Sequence, residues 1–284
     1  MYEIIEKTSL SADVNFYRVR APEIAKNRKP GQFVLIQLDT DFAERVPLTI
    51  ADADPEGGWI ALVVQTVGAS TLKLSQKKAG DCLGAVLGPL GNPTKIEKTG
   101  PVVCVGGGIG VAPLYPIAQG HKNAGNKLTV IIGARTKDLV IFEDRMRGIA
   151  DELIVVTDDG SYGRKALVTE PLKELCASPA PPGEVVAIGP PVMMKFCAET
   201  TRPFGVPTVV SLNTIMIDGT GMCGCCRVKV GDTTKFVCVD GPEFDGHQVD
   251  FENMMLRMGA YKPAEAESLH RCKLQLGLAG GGDG

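Results

Sequence analysis

Residues 101–113 read PVVCVGGGIGVAP. An unbroken apolar run, Val102-Val103-Cys104-Val105, passes into Gly106-Gly107-Gly108-Ile109-Gly110, and a stretch suited to a helix follows. Strands buried on both faces carry such continuous runs, because helices cover a parallel sheet above and below. A strand that passes through glycines into a helix N-terminus makes a phosphate site: the backbone approaches closely and the helix dipole favours an anion. The spacing is not G-x-G-x-x-G, which would need glycine at Val111, so the loop alone also admits a purely structural tight turn.

The same pattern recurs downstream. Strands are expected at Pro101–Val105, Leu128–Gly133, Glu152–Thr157, Glu184–Ile188 and Thr208–Leu212. Helices are expected between them, around Leu114–His121, Phe142–Ile149, Thr169–Cys176 and Val192–Arg202. Strands alternating with helices make a doubly wound α/β domain, assigned to residues 98–212. Open sheets of this kind bind ligands beyond the carboxyl ends of their strands. Three loops are expected at that edge: Gly133-Ala134-Arg135-Thr136, Asp158-Asp159-Gly160-Ser161-Tyr162-Gly163 and Gly189-Pro190-Pro191. Each alone reads as a turn, and their agreement points to a crevice.

Residues 1–97 differ. Short runs such as Phe33–Leu38 and Trp59–Gln65 lie between turn signals, Lys29-Pro30-Gly31 and Pro55-Glu56-Gly57-Gly58, which predicts a small antiparallel β-barrel. In Arg45-Val46-Pro47-Leu48-Thr49-Ile50 a cation precedes a hydroxyl by four residues on an expected strand. Arginine pairs with pyrophosphate in a bidentate way, and Thr49 with the strand backbone is suited to a flavin ring. Val67-Gly68-Ala69-Ser70-Thr71 offers a glycine and hydroxyls for a second phosphate contact. Read alone, Arg45 reads first as a solvated surface charge.

The third segment, 213–284, holds IMIDGTGMCGCCRVKVGDTTKFVCVDGPEF at 215–244. Asp218, Cys223, Cys226 and Cys238 give D-x4-C-x2-C-x11-C, the plant-type [2Fe–2S] spacing with aspartate in the first ligand position. Gly219, Gly221 and Gly224 suit a loop that must turn tightly around a cluster. Carboxylate is a harder donor than thiolate, and Cys225 is a second candidate for the fourth ligand. A structural zinc site and plain core thiols stay open on spacing alone. The remaining cysteines, Cys82, Cys104, Cys176, Cys197 and Cys272, read as small hydrophobes. Pro263 opens an expected last helix, and the closing glycine-rich residues read as frayed.

Composition excludes some functions. Hydrophobic residues make up 44% and charged residues 22%, with a net charge of −3, so no basic field attracts nucleic acid or anionic lipid. No apolar run approaches the ~20 residues of a membrane span, and MYEIIEKTSL lacks the pattern of a signal peptide. An odd cysteine total of nine argues against a disulfide framework. A cytoplasmic protein is expected. His121, His247 and His270 sit in no constellation, so no catalytic acid or base is expected.

Together these motifs resemble the ferredoxin–NADP reductase superfamily, in which an R-x-P-[LYF]-[ST] strand meets FAD and a G-G-G-x-G-x-A-P loop meets the nicotinamide dinucleotide. The order barrel, α/β domain and [2Fe–2S] module is similar to the electron-transfer subunits of dihydroorotate dehydrogenase. Asp218 in the first ligand position is more like the small subunits of NADH-dependent reduced ferredoxin:NADP oxidoreductases. The resemblance implies a flavin-binding barrel with FAD on Arg45, Pro47, Leu48, Thr49, Gly68, Ser70 and Thr71. It implies NAD(H) on Gly107, Gly108, Gly110, Arg135, Asp159 and Pro190, and the cluster on Asp218, Cys223, Cys226 and Cys238. It further implies a larger flavin/iron–sulfur partner subunit, ferredoxin as a reactant of the complex, and a part in electron bifurcation. The different-class rival is a zinc-stapled nucleotide-binding regulatory module. Two departures stand out: Ile188 replaces the cysteine frequent before the Gly-Pro loop, and no aromatic terminus is present to cover a flavin.

Overall fold

The computed structural model describes residues 2–38 and 44–278. Its first sheet is antiparallel, with strands in the order Cys82–Leu83, Tyr2–Ser9, Val14–Arg20, Trp59–Gln65, Arg45–Asp54, Phe33–Gln37 and Ala85–Leu90. The two outermost strands are separated in sequence by Gly84 alone. One residue spans less than 4 Å, so the sheet has to curl until its edges meet, and the result is a nearly closed barrel.

Alternation along each strand divides the side chains between two cores. Ile60, Leu62 and Val64 face inward with Ile4, Tyr17, Val19, Val34 and Ile36. Ala61 and Val63, with Val14, Phe16 and Ala51, face outward and pack against the second sheet's helices. That is why Trp59–Gln65 reads as continuously apolar although it lies in an antiparallel sheet.

The second sheet runs Arg164–Lys165, Glu152–Thr157, Lys127–Ala134, Pro101–Gly107, Glu184–Ile188, Thr208–Ser211 and Glu243–Asp245. All pairings are parallel except the last, which is antiparallel and comes from beyond residue 213. The five strands expected from sequence are its centre. Helices Val111–Asn123, Thr169–Cys176 and Pro191–Thr201 match the expected ones, whereas the expected Phe142–Ile149 shortens to Glu143–Arg147. Phe142 has φ 59°, a left-handed conformation that cannot extend a right-handed helix.

After Ser211 the chain forms the cysteine-bearing loop, a hairpin of Arg227–Val230 with Thr233–Phe236, and helices Val237–Asp240 and Phe251–Met258. Asp250 caps the latter by accepting from Asn253 N–H at 3.0 Å. The last helix, Lys262–Gln275, carries Pro263 in its first turn and returns to pack on helix Ala69–Gln76. Buried Cys272 meets Ala69 there, its sulfur 3.7 Å from the carbonyl oxygen. Residues 279–284, read as frayed, lie outside the described residues. Among the described residues no helix is long and apolar enough to cross a membrane.

Candidate functional site

Strand order reverses direction at Pro101–Gly107, whose neighbours are Lys127–Ala134 on one side and Glu184–Ile188 on the other. The loops that leave adjacent strands there diverge and leave a crevice. The crevice is a cavity of about 970 Å³. Its α/β wall contains Gly107, Gly108, Gly110, Arg135 and Pro190, and its barrel wall contains Pro47, Leu48 and Thr49. The structure thus brings together most of the residues that sequence singled out in two separate segments.

Close packing explains two of the glycines. A Cβ on Gly110 would stand 2.7 Å from the carbonyl carbon of Ile188 and 2.8 Å from Gly189 Cα. Both are backbone atoms that cannot rotate away. A Cβ on Gly107 would collide with the Met193 sulfur and stand 3.3 Å from Pro190 Cδ. The two loops at the reversal therefore pack too closely to admit a side chain at either glycine.

Other expected residues stand elsewhere. Arg45 begins the strand Arg45–Asp54 and is exposed, outside the cavity lining. Thr71 uses its hydroxyl locally, accepting from the amides of Val67 and Gly68 at 3.0 Å each, which caps helix Ala69–Gln76. The Ser70 hydroxyl donates to the Glu44 carboxylate. Asp159 turns back to accept from Ser161 N–H and Oγ–H at 2.9 and 2.7 Å, while its neighbour Asp158 lines the cavity. Sequence reasoning missed the third wall, Ser211–Thr214 with Met216 and Pro242. These residues carry no motif, and only their place just after a strand end could have marked them.

That third wall leads directly into the cysteine loop. Cys226 and Cys238 are both buried at 1% exposure, with their sulfurs 3.3 Å apart and no disulfide between them. The Cys238 amide lies 3.5 Å from the Cys226 sulfur. Burial pushes the Cys238 thiol up to about 12, helped by the hydrogen bond from Cys226. Cys223 is exposed and Cys225 half-buried. Asp218 organises the turn: Oδ2 accepts from the amides of Met222 and Cys223 at 3.2 and 3.1 Å, and Oδ1 from Thr220 N–H at 3.1 Å and its hydroxyl. The Thr220 hydroxyl and the Cys223 amide hold this carboxyl well below the usual range, so it is ionised. Gly219, Gly221 and Gly224 have φ of 75°, 86° and 68°, which lets the chain wrap the sulfur pair.

Among the described residues, no three His, Cys, Asp or Glu side chains form a ready metal cage. Two buried sulfurs in contact, a third thiol and an ionised carboxylate on a glycine-rich turn nevertheless make a donor set of the iron–sulfur kind. The scattered thiols differ: Cys104, Cys176, Cys197 and Cys272 are buried apart from this loop. His121 is fully buried beside Asn126, and the His247 ring meets Thr201 at 2.9 Å. Neither histidine lines the cavity.

A titrating group stands behind the third wall. Glu243 follows Pro242 and accepts from Thr94 Oγ–H at 2.6 Å. Burial, opposed by the Thr94 hydrogen bond and reinforced by the nearby charge of Glu184, raises its carboxyl from 4.5 to about 7. The folded chain thus holds this proton more tightly than the unfolded one. The resulting stability is present below pH 4.5 and is lost as pH rises through about 7. A shift of this size corresponds to a loss of at most about 3 kcal/mol. Glu243→Gln is expected to be more stable than wild type at pH 8 but not at pH 4, as thermal melts at the two values would show. Equal pH dependence in the two proteins would contradict the assignment.

Comparison with known proteins agrees with this geometry. Residues 213–250 match the family model for the iron–sulfur cluster binding domain of dihydroorotate dehydrogenase B. The chain is 49% identical over 270 residues to a dihydroorotate dehydrogenase B (NAD(+)) electron transfer subunit homolog of Thermotoga maritima, covering 95% of this chain and 94% of that one. It superposes on a solved NADH-dependent reduced ferredoxin-NADP oxidoreductase, studied for flavin-based electron bifurcation, with TM-score 0.89 and 47% identity. That match covers 95% of this chain and 97% of the other. A ferredoxin NADP+ reductase from Neisseria gonorrhoeae shares the fold alone, with TM-score 0.60 and 17% identity over 72% of this chain and 90% of that one. By descent as well as by fold, the chain belongs to the family of dihydroorotate dehydrogenase B electron-transfer subunits and their homologues.

Proposed function

We propose that the chain is the electron-transfer flavoprotein subunit of a heteromeric oxidoreductase, working with NAD(H), FAD and a [2Fe–2S] cluster. The observation that carries the reading is the three-walled cavity, whose third wall, Ser211–Thr214 with Met216 and Pro242, leads in sequence into the cysteine loop. A nucleotide wall and a barrel wall thus face one cleft, and its third wall continues in sequence into the loop proposed to hold the cluster. When bound, flavin supplies the exchange between a two-electron hydride and single electrons, and the cluster carries them singly.

The chain's own residues would bind and orient. Gly107, Gly108 and Gly110, at the N-terminus of Val111–Asn123, would take the dinucleotide's phosphates, with Arg135 and Pro190 beside them and Asp159 in the adjoining turn. Pro47, Leu48 and Thr49 would face the flavin ring, while Arg45 and the capped turn Gly68, Ser70 and Thr71 would take its phosphates. Asp218, Cys223, Cys226 and Cys238 would hold the cluster. Units 1–97, 98–212 and 213–284 correspond to these three tasks. A larger flavin/iron–sulfur subunit would receive the electrons, with ferredoxin acting through the complex in a bifurcating NADH/ferredoxin:NADP oxidoreductase. A cytoplasmic place, without nucleic-acid or membrane partners, goes with this reading.

The family model favours a second reading, the electron-transfer subunit of a dihydroorotate dehydrogenase. Asp218 separates the two, since that group is expected to use four thiolates. Asp218→Cys is expected to keep the cluster but change its EPR spectrum and midpoint potential, because a soft thiolate replaces a hard oxygen. An unchanged spectrum and potential would remove Asp218 from the ligand set. The broader test is a visible spectrum of anaerobically purified protein. A flavin band near ~450 nm that bleaches with NADH, over a broad iron–sulfur shoulder, supports the proposal. A colourless, zinc-containing protein would refute it.

A further inference from the structure

Outside the cavity lining but next to it, Arg145 crosses between the barrel and the α/β unit. It lies on the short helix Glu143–Arg147, and its Nη1 donates to Asp52 Oδ2 of the barrel at 3.0 Å. The guanidinium also stands over three aromatic rings: Phe142 at 4.6 Å, Phe16 of the barrel at 5.3 Å and Tyr115 at 5.7 Å. The rings meet one another, Tyr115 edge-on to Phe142 at 5.9 Å and Phe16 tilted to Phe142 at 6.5 Å. Beside them an open groove of about 450 Å³ separates the 6–18 region of the barrel from residues 140–145, and Arg145 lies in its lining.

Two local irregularities serve this contact. Asp52 sits where the ladder slips between Ile50 and Asp52, a bulge that re-aims its side chain. Phe142 is the non-glycine residue with positive φ among the described residues, a strained state that persists where its surroundings over-determine it. Each anchor also adjoins the cavity: Asp52 follows lining residue Ala51, Phe142 follows lining residue Ile141, and Tyr115 shares a helix with lining residues Ala112 and Pro113.

The hydrophobic driving force behind the apolar contact between barrel and helices is itself non-directional. A planar guanidinium held by one carboxylate and three rings is directional. We infer that Arg145 is a positioning residue, a latch that sets the angle between the barrel and the nucleotide-binding unit and with it the spacing across the cleft. The inference rests on the proposed function for its kinetic consequence and on geometry alone for its mechanical one.

The test compares Arg145→Gln, Asp52→Asn and the double variant, each as the full chain carrying its flavin. Amide hydrogen exchange over residues 111–118 and 141–147 is expected to quicken about tenfold in Arg145→Gln. Flavin bleaching at saturating NADH is expected to slow by about tenfold, with NADH affinity changed by less than about threefold, because placement rather than binding is lost. The double variant should be no worse than Arg145→Gln. Should Arg145→Gln fail to fold, Arg145→Lys keeps the ion pair without the planar stack, and faster exchange there supports the latch. Wild-type exchange in the folded variant, or additive effects in the double, would overturn it. If NADH fails to bleach the wild-type flavin, the functional proposal falls and the exchange data alone judge the latch.

Discussion

The Cys226→Ser variant, purified without oxygen, is expected to retain flavin but contain neither iron nor acid-labile sulfide. Its EPR signal should be absent, and electron delivery to a one-electron acceptor should fall by at least about 100-fold, while NADH still reduces the flavin at close to the normal rate. The physical ground is the position of this sulfur. It is buried at 1% exposure, 3.3 Å from Cys238 and 3.5 Å from that residue's amide. A serine hydroxyl there is a harder, far less acidic donor and cannot replace thiolate. Cys225, adjacent in sequence but only half-buried, provides the control. Cys225→Ser is expected to keep its cluster. If the two outcomes are exchanged, Cys225 is the ligand and the C-x2-C reading is wrong.

The second large effect belongs to Gly110→Ala. The added methyl meets main-chain atoms of Ile188 and Gly189, so the two loops at the strand reversal must move apart. Overpacking of this kind costs about 1–3 kcal/mol. The glycine loop that lines the cavity is displaced, and NADH affinity is expected to fall by roughly 100-fold, a loss of about 2.7 kcal/mol of binding. Gly108→Ala provides the contrast. Gly108 has φ 55° with open space where its Cβ would be, so only backbone strain of about 1 kcal/mol is added. Calorimetric titration with NADH should rank Gly110→Ala well below Gly108→Ala. Equal affinities would mean that close approach of the loops does not govern nucleotide binding.

What could be read in advance followed the range of the forces involved. Strands such as Val102–Val105 and Glu184–Ile188 were legible because burial on both faces writes a continuous apolar run. The candidate ligand spacing was legible because one loop supplies Asp218, Cys223 and Cys226. Helix Ala69–Gln76 was not, since Gly68-Ala69-Ser70-Thr71 has turn composition and Leu72 and Leu74 alternate like a strand. Strand Glu243–Asp245 is three residues long, too short for a periodic signal. Arg145 and Asp52 lie 93 residues apart, and no local pattern records that they meet. The same holds for the cavity's third wall, which reaches the cavity through the path of the chain and not through a local pattern.

The antiparallel pairing of Ser211 with Glu243 has one more effect. The Leu212 amide donates to the Pro242 carbonyl at 2.9 Å, so the excursion carrying all four candidate ligands starts and finishes at neighbouring rungs of one ladder. Its ends are already pinned before any iron arrives, and most of the entropy of bringing them together is spent when the polypeptide folds. A cluster bound by these four residues would therefore meet a loop whose two ends are already joined, much as a key ring is closed before anything is hung on it.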